Sequence, residues 1–342
     1  MDEKKTLEIL STVPLTEAQQ NRIKALGKHI HLIVSAGKSY ADLPKEAWEK
    51  AEVFFTDGKQ LPAREQVPAL KWIQISLAGV NQALKQPLAA DPGVVITSAS
   101  GVMISQMGEY VLMALLMLGH KLPEIIALQR EHKWGNNASK SLQPVELRGS
   151  TVGIVGYGSI GREVARLLFP LGVSVLAAKR DLMKLEDSGY TPAGLGDPMG
   201  HYFKRLYPIE GLKGMLKECD FVVLTLPLTP ETKHLFNAEM FEALKPGAYL
   251  VNVSRGDLID EAALAQAVRA GKVGGAVLDV FAQEPLPPES PLWSLPEVII
   301  TPHTSGASSH LVDDVVDLFV ENLKRYQEKQ PLHNIVDTGS GY

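Results

Sequence analysis

Three ionisable residues each follow a short apolar run of the chain. Arg255 comes after Tyr249–Val253, in Asn252-Val253-Ser254-Arg255-Gly256. Glu284 comes after Ala276–Val280, in Leu278-Asp279-Val280-Phe281-Ala282-Gln283-Glu284-Pro285. His303 comes after Val298–Thr301, in Thr301-Pro302-His303-Thr304-Ser305-Gly306. If each run is a strand of one parallel sheet, the three side chains emerge at its carboxyl edge, where open α/β sheets bind ligands. A guanidinium at Arg255 offers a planar fork to a carboxylate or carbonyl. An imidazole, with a reference pKa of about 6.5, is suited to protonating a carbonyl oxygen as hydride arrives. A carboxylate beside it favours the imidazolium and fixes the ring tautomer. Taken singly, each residue has a plainer reading: a surface ion pair, a solvated turn, a histidine bonded to backbone. Their shared placement downstream of a nucleotide-binding signature favours catalysis.

That signature is Thr151-Val152-Gly153-Ile154-Val155-Gly156-Tyr157-Gly158-Ser159-Ile160-Gly161, an apolar strand running into G-x-G-x-x-G. Gly156 permits the tight turn, Gly158 lets backbone approach a pyrophosphate, and Gly161 lets the helix pack close to the strand. The N–H groups of Ser159 and Ile160 open a helix whose N-terminus suits an anion. A glycine-tight corner without a ligand is the alternative. The periodic Ile160, Val164, Leu167, Leu168 and Leu171 favour the nucleotide-binding αβ unit.

The elements that must position these residues alternate. Strands are expected at Leu7–Leu10, His31–Val34, Val53–Phe55, Trp72–Ile75 and Val94–Thr97, and a helix at Thr16–Leu26 with a Thr16 cap and a Gly27 stop. A second series follows: Thr151–Val155, Val173–Ala177, Phe221–Thr225, Tyr249–Val253, Ala276–Val280 and Val298–Thr301, six strands in all. Helices are expected from Thr229-Pro230-Glu231-Thr232 and from Asp260 to Gly271. Met103–Leu118 reads as a nearly all-round apolar, buried helix, crossing between domains or forming an oligomer interface. Trp134–Pro144 and the Gly- and Pro-rich Asp187–Pro208 read as irregular, and a last helix covers about 308–328. The fold class is α/β: two Rossmann-like, doubly wound parallel-sheet domains separated by an active-site cleft. Residues 1–102 plus 305–342 form the substrate domain and 103–304 the dinucleotide domain.

Composition narrows the function classes. A formal net charge of −5 argues against a nucleic-acid or anionic-membrane surface, so any anionic ligand needs a local site. Cys219 is the only cysteine, which excludes an intrachain disulfide and a cysteine-based metal site; no metal is expected. Tyr110–Leu118, the longest apolar run, is too short to span a bilayer. Met1-Asp2-Glu3-Lys4-Lys5 lacks the apolar core of a signal peptide, so the expectation is cytoplasmic.

These motifs, taken in order, resemble the D-isomer-specific 2-hydroxyacid dehydrogenase family. Those carrying the resemblance are Val155–Gly161, Leu226-Pro227-Leu228-Thr229-Pro230-Glu231-Thr232, Asn252–Gly256, Leu278-Asp279-Val280-Phe281 and Pro302–Gly306. The resemblance implies an Arg255/Glu284/His303 catalytic set and a nicotinamide cofactor. Pro227, Thr232, Val253, Asp279, His303, Ser305 and Gly306 would lie along that cofactor, with Asp279 on the carboxamide. Leu77-Ala78-Gly79-Val80 would give backbone N–H groups to the substrate carboxylate, although that turn could be a simple glycine corner. NAD-specific members of the family carry an acid about 18 residues past Gly161, where this chain has Lys179 and then Arg180. Two cations there would attract a 2′-phosphate, so NADP(H) is expected to be preferred and NAD(H) possible; the neighbouring Asp181 opposes this. Other departures are Asn81, where the family usually has Asp, and Met103, where a polar residue is common.

The expected reaction is reduction of a 2-keto acid to a D-2-hydroxy acid, as in glyoxylate/hydroxypyruvate reductases or phosphoglycerate dehydrogenase-like members without a regulatory domain. Glu284, where formate dehydrogenases of the family have Gln, argues against formate oxidation. A homodimer is expected. The alternative is a dinucleotide-sensing, corepressor-like binding protein of the same fold.

Overall fold

The computed structural model describes residues 5–35, 44–136 and 142–338. Residues 1–4 of the N-terminal stretch and 137–141 of the Trp134–Pro144 stretch lie outside that set. The chain divides into two compact units. One comprises Met1–Val102, Ser188–Tyr190 and Ser308–Tyr342; the other comprises Met103–Asp187 and Thr191–Ala307.

In the first unit, strands β1 (Leu7–Ser11), β2 (Ile30–Val34), β3 (Val53–Thr56), β4 (Trp72–Ile75) and β5 (Val95–Thr97) form one sheet. All pairings are parallel, in the order β2-β1-β3-β4-β5. Strand β3 is buried at all four positions, as a sheet covered on both faces requires. Helix α1 (Glu17–Lys24) starts at the expected Thr16, whose hydroxyl accepts from Gln19 N while Gln19 Oε1 accepts from Thr16 N. Helices α2 (Lys45–Lys50) and α3 (Asn81–Leu84) follow. The C-terminal helix Leu311–Gln327 covers one face, with Phe319 stacked on Phe55 at 4.5 Å between ring centroids.

The second unit holds β6 (Thr151–Val155), β7 (Ser174–Ala178), β8 (Arg205–Tyr207), β9 (Phe221–Leu224), β10 (Ala248–Asn252), β11 (Val273–Leu278) and β12 (Val298–Ile300). Their order is β12-β11-β10-β9-β6-β7-β8, all parallel. The winding reverses between β6 and β9, which is the topological switch point of a doubly wound sheet. Seven strands stand where six are expected. The additional one, β8, is a three-residue edge strand at the end of the irregular Asp187–Pro208 stretch, too short to show a period.

Two further expectations need correction. No helix starts at Thr229; a turn stands there, because the Thr232 hydroxyl accepts from Thr229 N and donates to Pro227 O, closing the backbone locally. Helix α4 (Ile104–Gly119) is not buried all round. Met107, Val111, Ala114, Leu115 and Leu118 pack into the core over β6, β9 and β10, whereas Met113 and Leu116 are exposed. After α5 (Leu122–Arg130) and α6 (Ser159–Leu168) come α7 (Leu212–Leu216), α8 (Ala238–Ala243) and α9 (Glu261–Arg269). Helix α9 has the expected Asp260 cap and Gly271 at φ +69° just beyond its end. Among the described residues no single helix is long and apolar enough to cross a membrane.

The irregular stretch between β7 and β8 is held by buried polar groups. Asp197 accepts from the Tyr157 hydroxyl at 2.6 Å and from the N–H groups of His201 and Tyr202. Burial, with Asp197 adding to it, pushes the Tyr157 phenol far above its ordinary range, so it is a permanent donor. The buried Arg162, on α6, donates to the carbonyls of Asp197 and Leu185 and stacks over the Tyr157 ring. Glu163 accepts from Gly196 N at 2.6 Å. The stretch is thus tied to the glycine loop and to the first turns of α6.

Candidate active site

The glycine turn leaves β6 at its carboxyl end. Gly156 sits at φ +108°, and a Cβ there would lie 2.8 Å from the backbone of Thr225. A Cβ on Gly161 would lie 2.3 Å from Gly156 O, so helix and turn are in direct backbone contact. Gly158 is different. It is exposed, its φ is ordinary, and a Cβ there would meet no protein atom within 4 Å. Nothing inside the protein requires glycine at 158, whereas a pyrophosphate laid against the turn would. Ser159 and Ile160 form the first helical residues of α6, behind that open space.

Lys179 and Arg180 follow β7 directly. The Lys179 ammonium donates to Lys184 O, and burial together with the charge of Arg162 pushes it below the ordinary lysine range. Arg180 is exposed, and its charge reaches Glu231 in the turn that holds Pro227 and Thr232. The structure therefore brings the ends of β7 and β9 together, on either side of the glycine strand.

The segments that carry Arg255 and Glu284 are brought together by a forced close approach of backbone. The turn after β10 is fixed by Asn252, whose Oδ1 accepts from Ser254 N and whose Nδ2 donates to Arg255 O, and by Ser254 Oγ donating to Leu226 O. A Cβ on Gly256 would lie 1.8 Å from the carbonyl carbon of Phe281, so only glycine lets the two segments meet there. Glu284 Oε1 accepts from Phe281 N at 3.0 Å, which orients the other oxygen. Burial pushes the Arg255 guanidinium below its ordinary range, and the charge of Glu284 opposes that shift. Val253, between the two anchoring residues of the turn, is buried.

His303 completes the set. Its Nδ1 lies 2.8 Å from Glu284 Oε2, which leaves Nε2 on the partly exposed side of the ring for a ligand. The residue adopts φ +54°, a conformation few side chains occupy. Asp279 holds it there. Its carbonyl accepts from His303 N at 2.9 Å, Oδ1 accepts from Thr304 N and Thr301 Oγ1, and Oδ2 accepts from Ser305 N. Gly306, beside Ser305, accepts from Gln106 Nε2 on α4. Leu77–Val80 belong to the first unit, where they follow β4; Leu77 is exposed and its carbonyl accepts from Ala99 N.

Among the described residues no group of three or more potential metal ligands occurs. Sequence reasoning missed Asn252, Ser254 and Thr301, which act only through hydrogen bonds to other residues of the set. It also missed the reason for Gly256, which is a neighbour distant in sequence.

A family model described as D-isomer specific 2-hydroxyacid dehydrogenase, NAD binding domain, matches residues 112–305. A glyoxylate reductase of Korarchaeum cryptofilum is 31% identical over 290 residues, 82% of this chain and 80% of that protein. A D-isomer specific 2-hydroxyacid dehydrogenase from Xanthobacter autotrophicus, solved in complex with NADPH and MES, superposes with a TM-score of 0.80 at 29% identity. The alignment covers 98% of this chain and all of that one. An NADPH-dependent glyoxylate/hydroxypyruvate reductase from Sinorhizobium meliloti, in complex with NADP and sulfate, gives 0.75 at 28% identity, covering 99% of this chain and all of that one.

The glycine geometry separates folding from binding. Gly158→Ala should leave unfolding stability within about 0.5 kcal/mol, because the added methyl meets no protein atom. Titration calorimetry should show its dinucleotide affinity lowered by about tenfold or more, because the methyl occupies the phosphate's approach. An unchanged affinity would remove the pyrophosphate from this turn.

Proposed function

The chain belongs to the D-isomer specific 2-hydroxyacid dehydrogenase family, and on that premise we propose that it reduces a small 2-keto acid to the D-2-hydroxy acid with NADPH as the preferred donor. The observation that carries the reading is the 2.8 Å pairing of His303 Nδ1 with Glu284, whose charge also acts on the half-buried Arg255 guanidinium. A bound reduced nicotinamide supplies the hydride. Arg255 binds the substrate and polarises its carbonyl. His303 Nε2 gives a proton to the oxygen that becomes the hydroxyl, while Glu284, bonded to Nδ1, holds the ring in one orientation and tautomer.

Gly156, Gly158, Ser159, Ile160 and Gly161 would hold the pyrophosphate, and Pro227, Thr232, Val253, Asp279, Ser305 and Gly306 the nicotinamide half. The carboxamide falls to Asp279, whose Oδ2 has one acceptor position beyond Ser305 N. Lys179 and Arg180 supply the charge that favours a 2′-phosphate. Relatives that hold NADPH or NADP support this preference. The corepressor-like alternative is not favoured, because the matched relatives carry dehydrogenase and reductase names. We place the protein in the cytoplasm, acting on a small molecule and not on nucleic acid or a membrane.

Glyoxylate, hydroxypyruvate and pyruvate, each assayed with NADPH and with NADH, test the reading. At least one keto acid should oxidise NADPH with kcat/KM about tenfold or more above that with NADH, the discrimination expected of one paired charge. Equal or better use of NADH would contradict the cofactor preference. Intact cofactor binding with no turnover of any 2-keto acid would contradict the reaction.

A homodimer is part of the same proposal. Met113 and Leu116 on α4 and Ile125 on α5 form exposed apolar surface beside a helix whose other face is core. Sedimentation velocity should give twice the chain mass of 37.2 kDa; a monomer would contradict it.

A further inference from the structure

Thr301 is the residue before the Pro302-His303 turn, and it makes two of the shortest side-chain contacts around that turn. Its hydroxyl lies 2.5 Å from the Tyr110 hydroxyl on α4 and 2.6 Å from Asp279 Oδ1. A threonine hydroxyl has one proton, and an ionised carboxylate can only accept. The direction is therefore set: Tyr110 donates to Thr301, and Thr301 donates to Asp279. Burial holds the Tyr110 phenol above its ordinary range and the charge of Asp279 adds to this, so the first donor keeps its proton.

The far end of this chain is the strained residue of the candidate site. Asp279 is fully buried, and every donor it accepts from Thr301 onward lies within the Thr301–Ser305 turn. His303, at φ +54°, donates its own N–H to the Asp279 carbonyl. Such a backbone is costly for a residue other than glycine and persists only where its surroundings over-determine it. We propose that Tyr110 and Thr301 are positioning residues for the reaction: as a two-hydroxyl relay from α4 they lock the Asp279 carboxylate and so hold the His303 imidazole where its Nε2 can deliver a proton. Neither touches substrate. The inference rests on His303 being the acid/base, and the α4 helix that carries Tyr110 is itself fixed by the core over β6 and β10.

The relay separates from a purely structural role by steady-state kinetics on the full-length enzyme with NADPH and its best keto acid. Thr301→Val keeps the shape and removes the hydroxyl. It should lower kcat by about tenfold or more while KM for the keto acid stays within about twofold, because misplaced acid costs rate rather than substrate binding. Thr301→Ser, which restores the donor, should return kcat to within about threefold of wild type. Tyr110→Phe should lower kcat by about threefold or more and add nothing on top of Thr301→Val, since the two act as one unit. A wild-type kcat in Thr301→Val, a serine variant as slow as the valine one, or losses that multiply in the double variant would each overturn the relay. Should Thr301→Val fail to fold, Tyr110→Phe decides alone, with a wild-type kcat counting against the proposal. His303→Ala run alongside keeps the two claims apart: turnover surviving there removes the acid/base reading and the relay with it. A dead His303→Ala beside a normal Thr301→Val removes only the relay.

Discussion

The Asp279 carboxylate is buried at the end of β11, and one hydroxyl and two backbone N–H groups from the next strand's exit converge on it. A buried carboxylate without partners is a heavy penalty, whereas each hydrogen bond to a charged group contributes about 1.5–3 kcal/mol. Three such bonds outweigh the roughly 1–3 kcal/mol that a left-handed histidine costs. The chain leaving β12 therefore has one favourable path, and that path places His303 beside Glu284. The strained backbone follows from the buried charge and requires no separate explanation.

The same logic of forced approach assembles the other two residues. Parallel pairing puts the ends of β10, β11 and β12 side by side on the carboxyl edge of one sheet. Adjacency at strand ends does not by itself aim side chains at each other. Gly256 brings the backbone of the Arg255 turn against that of Phe281, which occupies the space a side chain would need. Phe281 N then fixes one oxygen of Glu284 and leaves the other for His303. On the far side of the sheet's switch point, Gly156 and Gly161 are required by protein backbone, while Gly158 is required by nothing within the chain. An open position inside an otherwise crowded turn is what a ligand-binding loop must have.

Much of this was legible in the residues alone, for identifiable reasons. A central parallel strand such as Phe221–Leu224 announces itself because burial on both faces makes it a continuous apolar run. Strand β8 does not, because an edge strand of three residues, Arg205-Leu206-Tyr207, has too little apolar content to stand out. The Thr229 segment carries a helix-start pattern of Thr and Pro, yet the Thr232 hydroxyl satisfies the local backbone and the turn wins. The glycine spacing and the strand-end Arg, Glu and His were visible as types in a pattern. What holds them was not: Thr301 and Tyr110 are ordinary residues whose roles lie in partners far along the chain, and nothing in the spacing of Arg162, Glu163 and Asp197 shows that they meet in the fold.

One imidazole, held by Glu284, moves the proton that balances each hydride in this proposal. The most direct measurement is kcat/KM in both directions across about pH 5 to 9, for wild type and for His303→Gln. A protonated acid is needed for reduction and a neutral base for oxidation, so reduction should fall and oxidation rise as pH increases. Both dependences should be lost in the weakly active glutamine variant. A pH-independent reduction, or profiles that survive unchanged in His303→Gln, would contradict it.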